Sequence, residues 1–402
     1  MYLIYGKGDV GNGIKNFLGF FDEQYVMLDD NDFHEGKIDK DTKIIPSPGI
    51  KPTHTIYQKY QSHICSEMDL VRNILQKNNL KENFRFVGIT GSKGKSTTSW
   101  ILYNILKTHN KNTFIGGNFS PSLSQTVYNI LEKGLGNDTN TVVLEVSSFM
   151  LYNTQNFEFD YAAFTNIETD HLDRHRDFQD YLSTKQKIFS LTKNKVVIGA
   201  NIDTGGHENY EICSEKKVFE TNLLGEHNQD NINIAFMLAK QIINLPEEKI
   251  LDSIRNIYPL PNTLELLTTI DNINIYNDGK STTPNALGSA LNSFEEKVVL
   301  IAGGADKGAD FSQIEQILSQ KVAHAFLIGE TAEQIGKILE KYWIGYEICD
   351  SLEDAIYQGY FQAKNLSKDL VFSPGSSSLD MFSGYKERVD VFKENIKSFI
   401  SK

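Results

Sequence analysis

Cysteine is scarce in this 402-residue chain. The three that occur, Cys65, Cys213 and Cys349, lie far apart with no CxxC pair. That spacing excludes a disulfide framework or a cysteine-based zinc scaffold and fits a reducing cytoplasm. No apolar run approaches the ~18 residues of a membrane span, and no basic-then-apolar leader opens the sequence, so no membrane insertion is expected. Positive charge is also in deficit. Lys and Arg number 40 against 52 Asp and Glu, a net charge of −12. This argues against a nucleic-acid coat or an anionic-membrane binder, though local basic pockets can still hold phosphates. No low-complexity tract and no fixed-period repeat is present.

What remains is a globular composition, 40% hydrophobic and 23% charged, in a chain long enough for two or three domains. Short apolar runs ("MYLIYG", "FRFVGIT", "NTVVLEV", "YAAFTNI", "KVVIGA", "KVVLIAGG", "AHAFLIG", "DLVFSPG") alternate with amphipathic helical patterns at 95–108, 121–133, 178–190, 229–243, 311–320 and 353–364. That alternation predicts an α/β protein with mostly parallel sheets, whose ligands sit at the carboxyl ends of the strands. Three blocks are expected: 1–64, opening with a βα unit; 65–260; and 261–402, after the proline-bearing linker "YPLPNT" at 258–263.

The central block carries "VGITGSKGKSTTSW" (87–100), an apolar strand that breaks into a Gly-rich turn and opens a helix. Gly91 and Gly94 let backbone amides approach an anion, Lys95 supplies charge for β/γ-phosphates, and Ser96 is placed to bind Mg²⁺ at the positive end of the helix. The standard phosphate loop has glycine five residues before Gly94, where this chain has Ile89; an ordinary Gly/Ser turn is the alternative. Two further strand ends carry polar residues. Glu145 closes "TVVLE", where an acid needs a cation or a metal. "FTNIETDHLDRH" brings Asp170, His171, Asp173 and His175 together. His171 and His175, four apart, could share a helix face and hold zinc, but HExxH is absent and no third ligand is evident. Lys185 and Lys187 follow in "YLSTKQKIF"; alone they read as surface lysines.

Taken in order, GSKGKST, LEVSSF, NIETDHLDRH, YLSTKQKIF and LGEHNQDN resemble the Mur ligases, which make amide bonds in peptidoglycan precursors using ATP. "NDGKSTTPNA", "IAGGADKGADF" and "FSPGSSSLDMFSGYKERVDVF" continue the resemblance to the end of the chain, most closely to the D-glutamate-adding branch. The resemblance implies a Rossmann-like N-terminal domain, a central P-loop ATPase-like domain and a Rossmann-like C-terminal domain. It implies that Gly91, Ser92, Lys93, Gly94, Lys95, Ser96 and Thr97 cradle ATP phosphates, with Asn228, Asn231, Asp278 and Lys280 as further ATP contacts. Ser96, Glu145, His171 and Lys185 would hold two Mg²⁺ ions, Lys185 as a CO₂-derived carbamate, since an ammonium cannot ligate Mg²⁺ and a carbamate oxygen can. His171 as the base toward the incoming amine ranks behind metal binding. Asn118, Ser147 and His171 would lie around the muramyl substrate, UDP-N-acetylmuramoyl-L-alanine. Thr282, Lys307, Ser378, Leu379 and Tyr385 would surround D-glutamate.

The first block has Gly6, Gly8 and Gly11 in GxGxxG after a strand. By itself this suggests a dinucleotide, with Asp29 as the ribose acid. The resemblance turns it to the UDP group, with Gly8, Asp29 and Ser47 near the ligand. The chain departs from the family where Pro261-Asn262-Thr263 replaces Pro-His-Arg, Gly279 a common Ser, Tyr385 a Phe and Val389 a frequent Gly. Alternatives are another Mur-type or folylpolyglutamate-type ligase, which the N-terminal GxGxxG block disfavours, and a P-loop nucleotide switch, which would not need the DGKST and GGADKGADF elements.

Overall fold

The computed structural model describes residues 1–32, 38–172, 174–214 and 217–400. Asp173 lies outside them. The first sheet contains β1 (Tyr2–Tyr5), β2 (Tyr25–Leu28) and β3 (Lys43–Pro46), all parallel, in the order β2-β1-β3. Its residues alternate between two cores, as a period of two requires. Leu3, Tyr5 and Ile44 pack with Ile56 and Tyr57 on one face. Ile4 and Ile45 pack on the other with Ile14, Phe17 and Leu18 of the helix Asp9–Phe20.

The second sheet contains β4 (Phe84–Thr90), β5 (Thr113–Gly117), β6 (Asn140–Glu145), β7 (Tyr161–Phe164), β8 (Val196–Ile198) and β9 (Tyr210–Ile212). All its pairings are parallel, in the order β5-β6-β4-β7-β8-β9. The chain runs to one side of β4 for β5 and β6 and to the other for β7, so the carboxyl end of β4 is a topological switch point. Covered on both faces, β4 and β6 are nearly continuous apolar runs rather than alternating ones.

The third sheet contains β10 (Glu265–Ile270), β11 (Ile273–Asn277), β12 (Val298–Gly303), β13 (Val322–Ile328), β14 (Gly345–Ile348) and β15 (Leu370–Phe372), in the order β10-β11-β15-β12-β13-β14. Only the β10–β11 hairpin is antiparallel. Its turn residues Asp271 and Asn272 have φ of 51° and 64°, the left-handed pair that a tight hairpin wants.

The fold is therefore α/β with mostly parallel sheets. By Cα proximity the chain groups into two compact units, one of Met1–Thr221 with His227–Ile257, the other of Asn222–Glu226 with the chain from Tyr258 onward. The first two sheets fall in one unit because their cores merge: Ile4, Phe17 and Ile45 pack in the same cluster as Leu123, Val142 and Phe157. The "YPLPNT" linker begins the second unit. Among the described residues, no helix is long and apolar enough to cross a membrane.

Candidate active site

The Gly-rich turn sits at the switch point of the central sheet, between β4 and the helix Lys95–His109. Gly91 has φ +147° and Gly94 φ +77°. A Cβ on Gly91 would fall on Thr165 Oγ1, and one on Gly94 on Asn231 Oδ1, so both need glycine for conformation and for room. The residues after β7 bolt the turn in place. Ser92 N donates to Asn166 O (2.9 Å), Lys93 N to Asn166 Oδ1 (2.8 Å) and Thr165 Oγ1 to Lys93 O (2.6 Å). Buried Ser92 accepts from Glu168 N at its hydroxyl (2.9 Å) and pairs with Tyr181 OH (3.0 Å). That leaves the first-turn N–H groups of Lys95, Ser96 and Thr97, which have no partner inside the helix, to meet an anion. Lys95 Nζ folds back onto Ser92 O (2.7 Å), and burial lowers its amine below the ordinary lysine range.

Beside the turn, Glu145 at the end of β6 is 4% exposed. It accepts from Ser96 Oγ (2.6 Å) and from Asn118 Nδ2 (2.7 Å). Two predicted residues, Ser96 and Asn118, thus meet at the carboxylate of a third. Lys185 lies on the helix Phe178–Ser190, whose start is capped by Asp177 accepting from Asp180 N. Tyr181 and Lys185, four apart, both face inward. Lys185 is 1% exposed and donates to Gly91 O (2.7 Å) and Thr90 Oγ1 (3.2 Å). Burial, reinforced by the charge of Lys95, holds its amine well below the ordinary lysine range.

His171 and His175 do not share a helix face. Neither histidine lies in a helix: His171 has φ 55°, and His175 sits in a bend before the helix Phe178–Ser190. His175 is buried with both ring nitrogens engaged, Nε2 to Ser148 Oγ (2.9 Å) and Nδ1 to Asp180 Oδ2 (3.2 Å). The shared-face zinc reading is thereby corrected: His175 is structural. His171 is 40% exposed at its side chain, 3.5 Å from Asp170, its ring packed on Phe149. Ser147 caps the helix Ser148–Tyr152. Asn231 is 6% exposed and serves the turn, contacting Gly94, accepting from Thr98 Oγ1 (3.2 Å) and donating to Asn228 Oδ1 (3.0 Å).

The same logic recurs at the other sheets. Gly6–Gly8, Asp29 and Ser47 follow β1, β2 and β3 directly. Lys7 pairs with Asp29 (3.1 Å) and Asp32, holding the Asp29 carboxyl below its usual range. Ser47 Oγ is buried and makes no hydrogen bond among the described residues. Among the described residues, a Cβ on Gly8 would meet nothing within 4 Å.

In the second unit, Asp278–Lys280, Gly304–Lys307 and Ser373–Leu379 follow the adjacent strands β11, β12 and β15. Gly375 N donates to Ser281 O (3.0 Å) and Ala305 N to Ser377 O (2.8 Å), so the three loops are knit together. Lys280, Thr282, Lys307 and Leu379 are exposed, Tyr385 is half-buried and Ser378 is 3% exposed. Asp278 is buried, accepting from Ser373 Oγ (2.7 Å), Ser281 Oγ and Leu264 N (3.1 Å), and burial raises its carboxyl to about 6.

Sequence reasoning missed Thr165, Asn166 and Arg388. Arg388 is 0% exposed and reaches the carbonyls of Ser376 (3.1 Å) and Ser377 (3.2 Å), supporting the Ser-rich loop from beneath. Its signal was an arginine on the apolar stripe of Val389, Phe392 and Ile396.

Two of the departures explain each other. A Cβ on Gly279 would fall on Val389 Cγ2. Glycine at 279 makes room for the valine, where the family more often has Ser and Gly. Gly279→Ser is expected to cost about 1–3 kcal/mol by overpacking. Combined with Val389→Gly, it should cost less than the sum of the two single changes by about 0.5–3 kcal/mol. Denaturant midpoints of the four proteins measure this, and strict additivity would contradict it. At the linker, Asn262 accepts from Asn277 Nδ2 (3.0 Å) and Lys280 N (3.1 Å), while Thr263 Oγ1 is buried without a partner among the described residues.

A glycine turn at a parallel-sheet switch point, a lysine and serine opening the next helix and a buried carboxylate against that serine define a P-loop nucleotide-binding protein. Residues 89–209 match the Mur ligase middle domain, and 264–376 the Mur ligase glutamate ligase domain. The UDP-N-acetylmuramoylalanine–D-glutamate ligase of Aquifex aeolicus is 31% identical over 100% of this chain and 99% of its own length. That of Hydrogenobaculum is 32% identical over 98% of each. The chain belongs to the Mur ligase family. In fold it is similar to the UDP-N-acetylmuramate–alanine ligase of Thermotoga maritima (TM-score 0.62, 14% identity, 98% and 99% covered). It is also similar to the folylpolyglutamate synthase of Mycobacterium tuberculosis (TM-score 0.58, 12% identity, 76% and 91% covered).

Proposed function

We propose that the chain is a cytoplasmic ATP-dependent ligase that joins D-glutamate to UDP-N-acetylmuramoyl-L-alanine in peptidoglycan precursor synthesis. The observation that carries this reading is the cluster of Lys95, Ser96, Glu145 and Asn118 at the phosphate loop, in a chain resembling D-glutamate ligases over its whole length. The domain division 1–64, 65–260 and 261–402 belongs to this proposal. So do the roles of Gly8, Asp29 and Ser47 at the UDP group, of Asn118, Ser147 and His171 at the muramyl substrate, and of Asn228, Asn231, Asp278 and Lys280 at ATP.

A carboxylate is a poor acyl donor, so it must first be phosphorylated. The L-alanine carboxylate attacks the γ-phosphorus of ATP in line, forming an acyl phosphate and ADP. The neutral amine of D-glutamate then adds to the acyl carbon, and the tetrahedral intermediate loses a proton from nitrogen to a base or solvent and expels phosphate. Lys95 and the first-turn amides offset charge on the transferring group. Lys307, Thr282, Ser378, Leu379 and Tyr385 receive D-glutamate, whose two carboxylates suit a cation and hydroxyls.

The residues at the loop fit Mg²⁺. Glu145 is a buried carboxylate with no ion pair among the described residues, and a hydroxyl lies 2.6 Å from it. Ser96, Glu145, His171 and Lys185 as a carbamate would hold two ions. Lys185 fits carbamate formation because CO₂ adds only to a neutral amine, and its burial favours that form. Bound Mg²⁺ would neutralise phosphate charge.

Phosphate release should require ATP, the UDP-muramyl substrate and an amino acid together. Release without the last two would favour a nucleotide switch. Lys307→Met should raise the apparent KM for D-glutamate strongly and change that for the muramyl substrate little. Steady-state kinetics against each substrate checks this; equal effects on both would place Lys307 elsewhere.

A further inference from the structure

A cavity of about 120 Å³ opens at the amino end of the central sheet, the end opposite the phosphate loop. It is lined by Arg72 of the helix Glu67–Lys77, by Arg85 at the start of β4, and by Lys81 and Lys193. The two lysines are already spoken for: each lies 2.9 Å from Glu158 Oε1, and Lys193 also lies 3.3 Å from Asp160 Oδ1. Asp160 Oδ2 accepts from Phe86 N (2.9 Å). The third acid at the rim, Glu82, is 85% exposed and 3.9 Å from Lys81. The acids are thus committed to the lysines and the backbone. Neither arginine side chain has an ion pair or hydrogen bond among the described residues, and Arg72 Nε is buried there without a partner. In a chain of net charge −12, two unpaired guanidinium groups facing one cavity are a local exception.

A buried donor calls for an acceptor, and the guanidinium fork matches a planar or tetrahedral oxyanion. The volume is several times the ~10–15 Å³ that one water needs and well below the ~300 Å³ of an organic-ligand pocket. It therefore selects the oxyanion itself and leaves any organic remainder outside. We propose that this cavity is a second phosphate-oxyanion site, distinct from the phosphate loop, in which Arg72 and Arg85 hold inorganic phosphate or the phosphoryl end of a phosphate monoester.

The test is thermal unfolding of the full chain in rising inorganic phosphate, and separately in glycerol phosphate, at constant ionic strength set with chloride. Binding to the folded state raises Tm with ligand concentration. The rise should persist in Lys95→Ala, which disables the phosphate loop. It should require about tenfold or more ligand in Arg85→Gln or Arg72→Gln, the worth of one hydrogen bond to a charged group. A rise with phosphate assigns the free ion, and a rise with the ester alone assigns a phosphorylated metabolite; either supports the site. No rise with either compound, or a rise lost in Lys95→Ala and kept in both arginine variants, overturns it. Should the arginine variants fail to fold, crystals of the unaltered protein soaked in tungstate decide the matter. Anomalous density between Arg72 and Arg85 is expected, and its absence there contradicts the proposal.

Discussion

Lys185→Ala is expected to be nearly inactive, with turnover down on the order of 10²-fold or more, the size seen when one preorganised charge-stabilising group is lost. Acetate should restore part of it and acetamide should not. At 1% exposure, with only a carbonyl and a hydroxyl within hydrogen-bond reach of Nζ among the described residues, an ammonium at 185 would be a poorly compensated buried charge. Lys95 adds repulsion. Both effects favour the neutral amine, which CO₂ can carbamoylate. A carbamate there would present anionic oxygens next to the phosphate loop, a donor type that Mg²⁺ accepts. Acetate has the charge and the oxygens; acetamide has the size without the charge. Rescue by a small alkylamine instead would show that the working form is the ammonium, and equal rescue by acetate and acetamide would show that only volume is missing.

Lys95→Ala should abolish measurable turnover while the protein keeps its thermal transition. The side chain reaches over the turn to Ser92 O, and in the proposed role its charge would act on the β/γ-phosphates. Removing one donor aimed at developing charge lowers rates on the order of 10²–10³-fold, and here the donor carries a full charge. The fold should survive because the turn is held by Thr165, Asn166 and Tyr181 rather than by Lys95. Near-normal turnover by a folded variant would remove the phosphate-loop assignment.

The strand–turn–helix at 84–109 was legible because periodicity, glycine placement and chemistry all pointed one way. The helix expected at 178–190 spans those residues, since its apolar stripe and Asp177 cap are local signals. Strands such as β5, β9 and β14 escaped notice: they are sheet edges, short and glycine-bearing or partly polar. The hairpin of β10 and β11 carried its signal in Asp271-Asn272. At the site, the burial of Lys185 was only half visible. Its spacing of four from Tyr181 puts it on the buried stripe, but the neighbouring Lys187 made both read as surface. The fate of His175 could not be read locally, because its partner Ser148 lies 27 residues away. The exchange of Gly279 and Val389 reads as two unrelated departures until the fold brings strand end and helix together.

The most direct measurement of the central claim is an amino-acid panel, D- and L-forms, each offered with ATP, Mg²⁺ and UDP-N-acetylmuramoyl-L-alanine, with product mass and released phosphate read together. The account predicts that D-glutamate yields the amide product with one phosphate released per bond formed, and that omitting either acceptor or amino acid stops both. Preference for an L-amino acid or a diamino acid, or phosphate release that proceeds without amide formation, would contradict it.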